Sequence, residues 1–137
     1  MPRILVALDA SCGSEKALNA AVKLAQQDGG LITAVAVLEQ TGNPHLDQLP
    51  EDAKAQARSH LDDLLQAAAN FATSRGVRLT PILREGHPAD AIITCAEEEQ
   101  SNLLVLGAGG GPGGNTGMGD TADQVSNHSP CTVLLVR

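Results

Sequence analysis

From Gly107 to Asp120 the chain reads GAGGGPGGNTGMGD, and eight of its fourteen glycines fall in the thirteen positions Gly107 to Gly119. Backbone so poor in side chains can bring its N–H groups close to a bound group, and a helix opening just beyond offers a partial positive charge to an anion. That is the chemistry of a phosphate cradle. A glycine-rich surface loop without a ligand is the alternative that composition leaves open. The other conspicuous residue is Asp9, an acid directly behind the apolar run Ile4 to Leu8. Neither standard nucleotide fingerprint is present: there is no G-x-x-x-x-G-K-[ST], and no G-x-G-x-x-G with a downstream acid. The turn Ala10-Ser11-Cys12-Gly13 holds one glycine, which argues against a dinucleotide site there.

Charge narrows what the cradle could hold, and how. Nine Lys and Arg face sixteen Asp and Glu, a formal charge of -7, which repels nucleic acid and anionic membranes. A single Phe, with no Trp or Tyr, removes the stacking platforms used on single strands. Beyond Arg84 the only basic residue is Arg137, so residues 85–137 carry seven acids and one base. Any phosphate there must be held by main-chain amides, a helix terminus or a metal ion.

Other chemistries find little support. His45, His60, His87 and His128 share no ligand spacing, and His87 is expected to cap a helix. Cys12, Cys95 and Cys131 are too scattered for a disulfide framework and fit a reducing, cytoplasmic setting; Cys12 lies beside Asp9, Cys95 is expected to pack on a helix, and Cys131 to fill space before the last strand. The N-terminus is too short in apolar residues for a signal peptide or membrane span. Glu97-Glu98-Glu99 reads as a solvated helix end. No nucleophile elbow or paired catalytic carboxylates are legible, so a dedicated catalyst is not expected.

The elements that must position these residues follow from hydrophobic periodicity. Ile4 to Leu8 is a strand buried on both faces; Ser14 is an N-cap for a helix carrying Ala17, Leu18, Ala21, Val22, Leu24 and Ala25 until Gly29-Gly30. Leu31 to Leu38 is the next strand, residues 41–50 an irregular connection, and Ala57, Leu61, Leu64, Leu65, Ala68, Phe71 and Ala72 one face of a long helix ending at Gly76. Val77 to Leu83 is a strand, Gly86-His87-Pro88 opens a helix, and Leu103 to Leu106 is a strand. A short helix near Thr121 to Asn127 and a strand Val133 to Val136 complete one α/β domain over residues 1–137. Alternating strands and helices predict a single parallel sheet of five strands with helices on both faces. In such sheets ligands bind beyond the carboxyl ends of the strands, where Asp9 and the glycine tract fall.

Four segments in order, ILVALDAS, GHPADAI, LLVLG and SPCTVLLVR, resemble the universal stress protein family along essentially the whole chain. The resemblance implies a five-stranded Rossmann-like domain of the adenine-nucleotide alpha-hydrolase type, with an adenine-nucleotide cleft for ATP, ADP or AMP. It also implies a homodimer paired through the last strand, Val133 to Val136, and a stress-response regulator or sensor. ATP-binding members carry G-x2-G-x9-G-[ST]. Here Gly107-x2-Gly110 fits; the ungapped spacing then sets Asp120 at the third glycine and Thr121 at the hydroxyl position. Counting back from Pro130-Cys131 instead sets Gly119 and Asp120 there. By resemblance Asp9 lies near the ribose or the metal, Ala36 offers main-chain hydrogen bonds to adenine, and Gly107, Gly110 and Gly119 surround the phosphates. Asp120 is double-edged. As N-cap of the last helix it would take the amides a phosphate needs; with Mg2+ it could join Asp9 as an oxygen ligand. The second reading is therefore a nucleotide-free dimeric interaction module of the same fold.

Overall fold

In the computed structural model, residues 2–9, 12–39, 51–107 and 118–136 are described, the side chains of 12, 13, 39, 51, 52 and 118–122 excepted. The elements are β1 (Arg3–Leu8), α1 (Cys12–Asp28), β2 (Leu31–Glu39), α2 (Glu51–Ser74), β3 (Leu79–Gly86), α3 (Pro88–Glu98), β4 (Leu103–Gly107), α4 (Met118–His128) and β5 (Thr132–Val136). The strands form one sheet in the order β3-β2-β1-β4-β5, every pairing parallel. From β1 the chain builds outward through β2 to β3, then returns to the other flank of β1 with β4. Strand order reverses between β1 and β4.

Two-sided burial follows from the pleat. Ile4, Val6 and Leu8 pack with Ala17, Ala21, Val22 and Ala25 of α1 and Leu65, Ala68 and Ala72 of α2. Leu5 and Ala7 face the other way, toward Ala89, Ile92 and Cys95 of α3 and Val125 of α4. The helix stripes are largely alanine, so helix backbones sit close to the sheet and the larger packing volume comes from Leu5, Ile32, Ile92, Leu104 and Leu106. Leu104→Ala is expected to cost about 3 kcal/mol through the cavity it leaves, read as a lower urea midpoint at unchanged slope.

The glycine stops act by conformation. Gly29 takes φ +72° and its N–H donates to the Ala25 carbonyl at 2.8 Å. Gly76 takes φ +74°, and the following Val77 N–H closes on the Ala72 carbonyl at 2.9 Å.

Several expected boundaries move. The α1 helix begins at Cys12, so Ser14 lies inside its first turn and is not the N-cap. β3 runs from Leu79 to Gly86 instead of Val77 to Leu83, because its register is set by Ile32↔Leu79 through Glu39↔Gly86 and its outer edge tolerates Arg84 and Glu85. α4 opens at Met118, ahead of Thr121. His87 does sit at the N-cap position of α3, yet its side chain makes no capping bond; Nδ1 lies 3.9 Å from Asp90 Oδ2. Glu98 is not merely solvated, since its carboxylate accepts from Arg84 at 2.7 Å.

The two sheet edges differ in kind. On β3, Pro81 lacks an N–H, Glu85 pairs with Arg58 of α2, and Arg84 pairs with Glu98. Such residues blunt an edge against further pairing. β5 has none of them within Thr132–Val136, and its Leu134 and Leu135 are 38% and 44% exposed.

Candidate functional site

Three of the sequence-predicted positions meet at the carboxyl edge. β1 and β4 pair as Ile4↔Leu103, Leu5↔Leu104 and Val6↔Val105; two residues on, the strands end at Leu8 and Gly107. Asp9 follows Leu8 directly and is half-buried, while Gly107 is buried. On the other side of β1, Ala36 is the last β2 residue with a partner on β1, Leu8; Val37, Leu38 and Glu39 continue opposite β3 alone. Main chain on the β1 side of β2 therefore leaves the ladder at the level of Ala36, beside Asp9. Gly110 lies outside the described residues. Gly119, Asp120 and Thr121 are the second, third and fourth residues of α4. Because α4 returns the chain from the carboxyl end of β4 to the start of the parallel β5, its N-terminus belongs to this same edge. Position three of the helix lies inside the first turn and is not the N-cap position expected for Asp120.

Asp9 also borders a second space that periodicity did not reveal. A cleft of about 490 Å³ opens between α1 and α2, lined by Asp9, Ser14, Glu15, His60, Leu64 and Phe71 among others. By periodicity Phe71 belongs to the long helix's apolar stripe and His60 to no site. Only the packing of both helices on the same face of the sheet brings them to Asp9. The main-chain N–H of Asp9 donates to Ser14 Oγ at 2.9 Å. No group of three or more His, Cys, Asp or Glu that could hold a metal occurs among the described residues. Asp9 and Glu15 are the described carboxylates that line this cleft, and the side chain of Asp120 lies outside the description.

Away from the site, burial pushes the Cys95 thiol above its ordinary range, opposed by the Arg84 guanidinium. Arg84 is itself raised, first by its hydrogen bond to Glu98. The folded chain holds the Cys95 proton more tightly than the unfolded chain, so this contribution is full below the unfolded thiol's pKa and fades as pH rises through the folded one. Native protein at pH 8 is expected to leave Cys95 unmodified by iodoacetamide while half-buried Cys131 reacts, and urea should expose both to peptide mapping.

A parallel five-stranded sheet whose order reverses between β1 and β4, beside Asp9 and buried Gly107, defines a doubly wound α/β protein. The chain belongs to the universal stress protein family, whose match spans residues 1–137. It is 32% identical to the universal stress protein YxiE of Bacillus subtilis, over 98% of each chain. Among solved structures it resembles the universal stress protein UspA from Lactobacillus plantarum, with a TM-score of 0.86, 27% identity and 99% and 97% of the two chains covered. The same fold recurs in a universal stress protein in complex with cAMP (TM-score 0.75, 19% identity, 99% and 97% covered). It recurs again in one from Archaeoglobus fulgidus in complex with dAMP (TM-score 0.74, 21% identity, 100% and 98% covered). At those identities the likeness is one of fold. No helix among the described residues is long and apolar enough to cross a membrane.

Proposed function

We propose that this protein binds an adenine nucleotide in the crevice between β1 and β4 and works as a stress-response regulator or sensor, not as a metabolic enzyme. The observation that carries the reading is the juxtaposition of Asp9 and buried Gly107 at the strand ends where sheet order reverses. The residues suit such a guest: a position without Cβ at the end of β4, a carboxylate beside it, and main chain that leaves the β1–β2 ladder at Ala36. The cAMP and dAMP complexes of proteins with this fold support the choice of adenylate.

In this reading Asp9 contacts the ribose or a metal ion, main chain at Ala36 meets the adenine, and amides at Gly107, Gly110 and Gly119 surround the phosphates with Asp120 and Thr121 alongside. ATP enters with Mg2+, because residues 85–136 supply no Lys or Arg to offset its charge. The protein is cytoplasmic and a homodimer seamed along Val133 to Val136, the edge that carries exposed leucines and no blunting residue. Mass spectrometry of small molecules released on denaturing freshly purified protein tests the reading. An adenylate near one per chain is expected, and preparations that neither carry nor take up any adenylate would oppose it.

One observation favours the nucleotide-free interaction module: Asp120 is the third residue of α4, in the turn whose free amides a phosphate would need. Asp120→Ser separates the two. With the acid serving the metal, ATP binding falls about tenfold and loses its Mg2+ dependence. With the acid filling the site, the substitution strengthens or creates binding instead.

A further inference from the structure

We propose that Ser14 is a positioning residue for Asp9, an inference that rests on the nucleotide reading above. Ser14 is 2% exposed and is the one buried polar side chain among the described residues. It continues the stripe Ala17, Ala21 and Ala25 by which α1 packs on the sheet, so its hydroxyl is the single oxygen in a row of methyl groups. A hydroxyl in such surroundings needs a hydrogen-bond partner. Its geometry provides one: side chains on a helix lean toward the N-terminus, and from the third position of α1 the hydroxyl reaches back to the end of β1. There Ser14 Oγ accepts the Asp9 N–H at 2.9 Å.

The location gives this bond its consequence. Leu8 is the last β1 residue in register with β2, so the next peptide is held by a side chain of α1 in place of a ladder partner. That peptide leads into Asp9, at the end of β1 next to the end of β4 at Gly107. Ser14 thus ends the strand and sets the plane from which the Asp9 carboxylate meets its ligand; a small rotation there displaces the carboxylate from a guest that demands precise placement.

A double-substitution cycle in the full-length chain tests the role, with ATP and Mg2+ titrated by calorimetry. Ser14→Ala is nearly isosteric in an alanine stripe, and binding is expected to weaken about tenfold. In an Asp9→Asn background the same substitution should change affinity less than about twofold, since Ser14 acts through that carboxylate. A merely structural role predicts the same loss in both backgrounds, and that additivity would overturn the proposal. The 15N-resolved Asp9 amide should also shift on Ser14→Ala more than the amides of β1. Should Ser14→Ala not fold, Ser14→Thr, which keeps the hydroxyl, takes its place: retained affinity supports the role and lost affinity in a folded protein opposes it. Wild-type protein that binds no adenylate overturns the nucleotide reading and this one together, whereas binding by wild type with additive substitutions overturns only the role of Ser14.

Discussion

Gly110→Val should reduce adenylate binding by at least about a hundredfold while leaving the circular dichroism of the fold unchanged, because a branched side chain would stand where the account needs bare main chain. Two features make this the severe substitution. Charge gives the C-terminal part no alternative grip, since the only base after Arg84 is Arg137. Gly110 also lies three residues beyond Gly107, the last residue of β4, so the substitution falls outside the described sheet strands. Binding by the Val variant within a few-fold of wild type would show that the phosphates are held elsewhere.

Leu135→Lys should convert the proposed β5-seamed dimer to monomer across the micromolar range, seen by sedimentation equilibrium as a rise of at least about a hundredfold in the dissociation constant. A two-fold seam places each substitution twice, so two new cations face one another where two leucines met. The β3 edge provides the contrast. Pro81, Arg84 and Glu85 already guard it, and Glu85→Lys there should leave assembly unchanged. Wild-type protein that sediments as a monomer at these concentrations would count against the seam itself.

What the sequence made legible follows from the physics of each element. β1 announces itself because both faces are buried, so Ile4 to Leu8 is uniformly apolar, and Asp9 falls at its end for the same reason. The amphipathic helices were equally plain. β3 was misplaced at both ends because an edge strand with Arg84 and Glu85 lacks a continuous apolar run, and only pairing with β2 defines it. Ser14 fits the composition of an N-cap; its true partner is the amide five residues earlier, which depends on where the helix starts. That Asp9 borders a cleft with His60 and Phe71 follows from strand order and from two helices sharing one face of the sheet, and no local pattern encodes it. For Gly110 the sequence remains the sole guide, and Gly119, Asp120 and Thr121 add only their place at the start of α4.

The most direct test is a calorimetric titration of the ligand-stripped wild-type protein with ATP, ADP, AMP and cAMP, each with and without Mg2+. Saturable heat near one site per chain for at least one adenylate, with ATP requiring the cation, is the predicted result. No heat from any of the four under either condition would contradict the account at its centre.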